Sequence, residues 1–415
     1  MTLFADILST VFEQRVRFST GWSKDGRSLE ELSTELVSAS GERSGRALAA
    51  GMLEQYQGLD DTEKQTFFNF LAREMNIDPT AVRETLTAYE ESPSKDTYRA
   101  FMAAAEPPRQ ELIRRLNMVP GATELLVRMR ADLLRLGTQD PALQALDMDF
   151  RHLFASWFNR GFLVLRPISW ESPAHILDKI IAYEAVHAIQ SWDDLRRRLQ
   201  PQDRRCFAFF HPAMPDEPLI FVEVALSRGV PGSIQALLAE DRDVIPQERA
   251  DTAVFYSISN CQDGLAGISF GNSLIKQVAR DLAMALPQIK TFVTLSPIPG
   301  LMQWLEENAR DADLEDSTLM RRHAAEYLLH AKRSDGFPRD PVARFHLGNG
   351  ARVHAVHADA DLSEKGQSQS GGTMVNYLYD VSKLMENQER YAARNMIPAS
   401  SEVRSLAGSR TRTET

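Results

Sequence analysis

Three short stretches of the sequence carry side chains at spacings that could do chemistry. The first is Cys261-Gln-Asp-Gly-Leu-Ala-Gly-Ile-Ser-Phe-Gly271-Asn-Ser-Leu-Ile-Lys276. Its three glycines, Gly264, Gly267 and Gly271, let the backbone approach a ligand closely. The stretch reads as a loop from a strand into a helix, whose free N–H groups and dipole favour a phosphate. Its spacing is neither G-x-G-x-x-G nor G-x-x-x-x-G-K-[ST], and a turn that only caps a helix fits it as well. The second stretch is Leu295-Ser-Pro-Ile-Pro-Gly300. Pro297 and Pro299 remove two backbone donors and fix two φ angles, which aims the Ser296 hydroxyl in a defined direction. A polar strand end is the plainer alternative, and the absence of a G-x-S-x-G elbow argues against a hydrolase triad. The third is Asp340-Pro-Val-Ala-Arg-Phe-His346-Leu-Gly-Asn-Gly350. Here a histidine next to Phe345 and Leu347 suits either proton transfer near neutral pH or a satisfied place in a core.

The other titratable clusters are less pointed. His354 and His357 stand three apart on an expected strand, so they face opposite ways and suit no common metal. Arg196-Arg-Arg198 with Arg204-Arg205 fits a solvated helix face, or a contact to an acidic ligand or a neighbouring subunit. Two cysteines, Cys206 and Cys261, support neither a disulfide framework nor a structural zinc site. No metal site is expected.

These residues need elements to position them. Residues 1–155 read as helical throughout, as seven or eight helices over segments such as 29–39, 44–56, 60–75, 79–91, 94–106 and 120–137. Asp60-Asp61-Thr62-Glu63 and Asp78-Pro79-Thr80 are helix starts. From about residue 156 the pattern changes to β-like runs at 162–168, 205–211, 218–226, 253–259, 291–296 and 351–357. Helices are expected between them at 271–286, 299–310 and 317–332, and again at 375–394. The fold class is therefore α+β: a helical domain over 1–155, a mixed-sheet domain over 156–395, and an unstructured tail over 396–415. With 415 residues, 43% hydrophobic and 25% charged, the composition is that of a soluble globular protein. A net charge of −10 argues against a nucleic-acid partner. No apolar run is long enough for a membrane span. No targeting signal is visible at either end, so the expected compartment is the cytoplasm.

Taken together, the second half resembles malonyl-CoA decarboxylase. The likeness rests on Trp157-Phe-Asn-Arg-Gly-Phe162, Glu184-Ala-Val-His187, Arg204-Arg-Cys-Phe-Ala-Phe-Phe-His211 and Glu217-Pro-Leu219. It continues through Phe255-Tyr-Ser-Ile-Ser259, Gly264-Leu-Ala-Gly-Ile268 and Leu274-Ile-Lys276. It is strongest at Leu295–Gly300, Phe345-His-Leu347 before Asn349-Gly-Ala351, and Met374-Val-Asn-Tyr-Leu-Tyr379. The helical part resembles that family's N-terminal domain less strongly. A short stretch between Ser296 and His346, compared with animal members, marks a compact bacterial form.

The resemblance implies a catalytic domain similar to the GNAT acetyltransferases, which hold coenzyme A between splayed strands. By the same likeness, the backbone of Ala266, Gly267, Ile268, Ser269, Phe270, Gly271 and Asn272 would cradle the diphosphate. Ser296 and His346 match the family's catalytic pair, and Tyr379 matches a tyrosine near it; Asn376 and Ser370 are weaker candidates. The implied reaction turns malonyl-CoA into acetyl-CoA and carbon dioxide, with no metal or organic cofactor. The implied assembly is a homotetramer, a dimer of dimers, joined through the helical domain. An acyl-CoA N-acyltransferase would share the fold and loop, and a non-catalytic malonyl-CoA sensor is a third alternative.

Overall fold

A computed structural model describes residues 26–39, 41–137, 139–268, 274–308 and 313–408. Contacts divide the chain into two units. One comprises Met1–Val164, Phe210–Leu219 and Gln262–Ser269; the other comprises Leu165–Phe209, Ile220–Cys261 and Phe270–Thr415. Among the described residues no helix is long and apolar enough to cross a membrane.

The first unit is helical: α1 (Leu29–Ser38), α2 (Glu42–Gln57), α3 (Asp61–Arg73), α4 (Pro79–Glu91), α5 (Lys95–Ala105), α6 (Pro108–Leu116), α7 (Ala122–Leu136) and α8 (Pro141–Trp157). Side-chain caps begin most of them. Ser28 and Asp60 form reciprocal capping boxes with Glu31 and Glu63. Asp78 and Asp140 each cap a helix that starts with proline. The core of the unit is built from Leu32, Phe68, Leu112, Leu126, Phe150 and Phe154. By contrast, α4 and α5 bury no residue.

One loop of this unit is the stretch 262–268. It is held by Arg130, 1% exposed, whose guanidinium donates to the carbonyls of Gly264 (2.7 Å) and Ala266 (2.9 Å) and pairs with Asp147 (2.7 Å). Gly264 lies so close to α7 that a Cβ there would be 1.8 Å from the Val127 carbonyl oxygen. Gly267 has φ +74°, a conformation that side chains with a Cβ rarely adopt.

The second unit is built on β1 (Val164–Ile168), α9 (Ala174–Tyr183), α10 (Trp192–Leu199), β2 (Arg204–Phe210), β3 (Ile220–Ser227), α11 (Ile234–Leu238), β4 (Thr252–Asn260) and α12 (Leu274–Ala285). It continues with β5 (Thr291–Thr294), β6 (Ser296–Pro297), α13 (Leu301–Glu307), α14 (Ser317–His330), α15 (Pro341–Gly348) and β7 (Arg352–His357). Last come α16 (Glu364–Ser370), β8 (Met374–Leu378), α17 (Leu384–Arg394) and α18 (Ser401–Ala407). The strands form one mixed sheet in the order β1-β2-β3-β4-β5-β8-β6, with β7 also on β8.

Only a short parallel ladder joins β4 to β5, from Thr252↔Thr291 to Phe255↔Thr294. Beyond it β4 runs on to Asn260, while the other chain turns away to pair Ser296 with Val375. The two strands therefore part, as the resemblance implied. A bulge sits at the same point: Glu223 pairs with Ser257 and Val224 with Phe255, leaving Tyr256 as an extra residue.

Two expectations need correction. Residues 374–378 are a strand, not the start of a helix over 375–394. That strand pairs with β5, β6 and β7 and is buried on both faces, so it lacks the alternation that marks a half-exposed strand. The chain near 401–407 is helical rather than unstructured, with Ser400 as N-cap and Val403 fully buried.

The packing of Gly264 predicts a sharp contrast between two glycine substitutions. Gly264→Ala must push the loop off α7, so its thermal midpoint should fall by many degrees. Gly58→Ala meets nothing closer than 3.5 Å and should leave the midpoint within about two degrees. Equal midpoints for the two variants would contradict this packing.

Candidate active site

At the point where β4 and β5 part, the strand ends carry hydroxyls. Thr294 closes β5, and Ser296 stands two residues on in β6, so the two side chains lie on one face. The Ser296 Oγ–H donates to Thr294 Oγ1 at 2.8 Å, and Thr294 Oγ1 also accepts the Tyr377 N–H at 3.1 Å. The Thr294 carbonyl accepts from Asn376 Nδ2 at 2.7 Å. This strand end is thus fixed from both its side chain and its backbone.

His346 arrives from α15. Asp340 caps that helix by accepting the Ala343 N–H at 2.7 Å, and Pro341 takes the first turn. The imidazole is 2% exposed, and it stacks on Tyr377 with ring centres 4.5 Å apart and an interplanar angle of 22°. Its Nε2 lies 3.3 Å from Ser296 Oγ, and its Nδ1 lies 2.7 Å from Tyr379 Oη.

Among the described residues no carboxylate touches the ring. Burial alone pushes the His346 pKa down to about 3, and burial holds the Tyr379 phenol well above its ordinary range. Both groups are therefore neutral near pH 7. Since the Ser296 proton is committed to Thr294, the proton between Ser296 and His346 belongs to Nε2. Nδ1 then accepts from Tyr379. The result is an uncharged chain running from Tyr379 O–H to His346, from His346 Nε2–H to Ser296, and from Ser296 O–H to Thr294. A hydrolase triad works in the opposite sense, with a histidine that a carboxylate orients taking the proton from serine.

This chain opens on a cavity of about 260 Å³ whose wall includes Val186, Phe255, Ile258, Ser296, Pro297 and His346. Val186 is set there by a tight turn. The Glu184 carboxylate accepts the N–H groups of Val186 and His187, both at 2.8 Å, and its two oxygens share the one Ser257 hydroxyl proton.

The structure brings together Ser296, His346 and Tyr379. Ala266, Gly267 and Ile268 lie in the helical unit. Ser269, Phe270, Gly271 and Asn272 fall outside the described residues. Asn376 supports the Thr294 backbone from beside the site, whereas the Ser370 hydroxyl donates to Gly366 O within its own helix. His211 braces the Trp157 carbonyl and packs on Phe158. The arginine cluster divides. Arg198 is buried against Asp194, Glu223 and two carbonyls, while Arg196 lies over Trp170 and Arg197 reaches Glu240. Sequence reasoning missed Thr294, Tyr377 and Asp340. The i, i+2 spacing of Thr294 and Ser296 was available as a signal, and so was Asp340-Pro341, which repeats the helix start at Asp78-Pro79.

The parting strands of a mixed sheet here frame a hydroxyl–imidazole chain that opens on a cavity. The malonyl-CoA decarboxylase C-terminal domain model matches residues 161–317 and 311–415, and the N-terminal domain model matches residues 75–158. The mitochondrial malonyl-CoA decarboxylase of Anser anser anser is 31% identical over 419 residues, spanning 86% of this chain and 82% of that protein. The crystal structure of malonyl-CoA decarboxylase from Rhodopseudomonas palustris is 47% identical, with a TM-score of 0.86, over 92% of this chain and 100% of that one. That from Agrobacterium vitis is 46% identical, with a TM-score of 0.87, over 92% and 99%. The chain belongs to the malonyl-CoA decarboxylase family, a family of carboxy-lyases.

The burial of His346 makes stability depend on pH. Its folded pKa is about 3 and its ordinary value is 6.5. Between those values the unfolded chain binds more protons, so the contribution is complete above pH 6.5 and is lost as pH falls toward 3. At pH 5 the loss is on the order of 2 kcal/mol. In denaturant titrations from pH 7 to pH 5, His346→Gln should lose less stability than the parent protein. Parallel pH dependences would contradict a buried neutral imidazole.

Proposed function

We propose that the protein converts malonyl-CoA to acetyl-CoA and carbon dioxide without a metal or organic cofactor, and that Ser296 and His346 deliver the proton. The observation that carries this reading is the uncharged Tyr379–His346–Ser296 chain opening on a largely apolar cavity. A malonyl thioester needs no external electron sink. When the C–C bond to the carboxylate breaks, its electron pair moves into the thioester carbonyl and gives the enolate of acetyl-CoA. The enzyme must hold the thioester, release a neutral gas and supply one proton to the α-carbon.

Each task has residues for it. An apolar cavity wall solvates the malonyl carboxylate poorly, and the charge leaves that position as carbon dioxide departs. Ser296 O–H turns from Thr294 to protonate the α-carbon, His346 Nε2–H then restores the serine hydroxyl, and Tyr379 O–H protonates Nδ1 so that the ring stays neutral. The enolate is a far stronger base than any group in the chain, so the transfer runs toward carbon. A solvent proton entering at Ser296 after product release restores the phenol. Positioned transfer of this kind contributes about 10²–10⁴-fold. We assign the coenzyme A diphosphate to the backbone of residues 266–272, where the φ of Gly267 favours glycine. We also assign self-association, as a dimer of dimers, to the helical unit; its α4 and α5 bury none of their own side chains.

The test is carbon dioxide release from carboxyl-labelled malonyl-CoA, with chelator present and no amine acceptor. Release with equimolar acetyl-CoA is expected. Saturable binding without release, or release only when an amine is added, would sink the reading in favour of sensing or acyl transfer. Among variants, His346→Asn should lower kcat by about 10²–10⁴-fold and leave coenzyme A binding within a few-fold. Thr294→Val frees the serine proton to reverse the chain. It should lower kcat by about tenfold at unchanged KM, with Thr294→Ser restoring it. A Thr294→Val enzyme with full kcat would show that the direction of the chain is immaterial.

A further inference from the structure

A second cavity, of about 210 Å³, lies in the sheet unit away from the acid–base chain, between the start of β7, the turn after β8, and the 396–404 segment. Four cations line it: Arg352, Lys383, Arg390 and Arg404. Two carboxylates stand with them. Glu386 is taken by Arg390 at 2.6 Å, and Asp380 accepts from the Ser382 hydroxyl at 2.6 Å and offsets part of the charge of Lys383 and Arg352. Arg352, Lys383 and Arg404 have no ion pair among the described residues. The Arg352 Nε is buried and has no hydrogen-bond partner. A buried charged donor in that state is unfavourable unless something enters to accept from it.

The cavity is preformed. Its far wall is pinned to β7, where the Val353 N–H donates to Pro398 O and the Ser400 N–H donates to Val353 O, both at 2.9 Å. Ser400 in turn caps α18, whose Val403 is fully buried and whose Glu402 pairs with Arg321. The backbone around the cavity is thus pinned, with Arg352 partly buried in its wall and Lys383, Arg390 and Arg404 exposed at its rim. Excess positive charge in a small walled cavity selects a compact anion with several acceptor oxygens, because guanidinium groups bind such oxygens through paired, charge-assisted bonds.

We propose that this cavity is a binding site for a compact multivalent oxyanion, separate from the site of decarboxylation. Arg352 precedes the body of β7, and Asp380 directly follows Tyr379. The cavity therefore adjoins in sequence the residue that supplies the last hydroxyl of the Tyr379–His346–Ser296 chain, whose own N–H is held by the Phe292 carbonyl at 2.8 Å.

Calorimetric titration of the full-length protein with inorganic pyrophosphate, and separately with tricarballylate, tests this. Both titrations are run with and without excess coenzyme A. At least one of the two anions should bind at one per chain, equally with and without coenzyme A, and more weakly as ionic strength rises. Arg352→Gln should weaken that binding at least tenfold. Lys383→Gln and Arg404→Gln, at exposed positions that do not endanger folding, should do the same while malonyl-CoA KM stays within a few-fold. Pyrophosphate binding alone identifies a phosphate ligand, and tricarballylate binding alone a carboxylate one. Absence of saturable binding by either, affinity unchanged in all three variants, or displacement by coenzyme A would overturn the proposal.

Discussion

The imidazole of His346 is buried with no counter-charge, and the rest of the site follows from that constraint. An ionised histidine cannot be held in such a place, so burial keeps it neutral. A neutral imidazole has one donor and one acceptor, and each needs a partner of the opposite kind. Tyr379 and Ser296 are those partners, and Thr294 decides which way the serine hydroxyl turns. Remove the acceptor at Thr294 and the chain loses its direction.

The sheet provides the room for this arrangement. If β4 and β5 paired along their full length, Ser296 would lie inside a ladder and face no cavity. The ladder stops at Phe255↔Thr294, and the Tyr256 bulge turns β4 at the same level. The freed strand end then takes β8 as its partner, and β8 is followed at once by Tyr379. Three elements far apart in sequence therefore meet at one point, and α15, anchored by Asp340, brings the fourth.

Much of this was legible in the residues. Helix α4 begins and ends where Asp78-Pro79 and the spacing of its apolar side chains predict. Ser296 and His346 were candidates by their prolines and neighbours and were paired only by the family resemblance; they lie 3.3 Å apart. What was not legible has a common cause. Strand β8 is covered on both faces, so its apolar run reads equally well as a helix. Arg198 looks like a surface charge because sequence does not reveal the carboxylates that enclose it. Thr294 is an ordinary β-strand residue until the break in pairing after it is known. Each depends on long-range partners, which local periodicity cannot register.

The central claim is that His346 is a neutral imidazole protonated at Nε2. Long-range ¹H–¹⁵N correlation spectra of protein labelled at histidine, followed from pH 8 to pH 5, test it most directly. His346→Gln assigns the signal by its absence. The account predicts one unprotonated nitrogen, Nδ1, and a protonated Nε2 at every pH in that range. A signal that converts to imidazolium near pH 6.5, or one protonated at Nδ1 throughout, would contradict it.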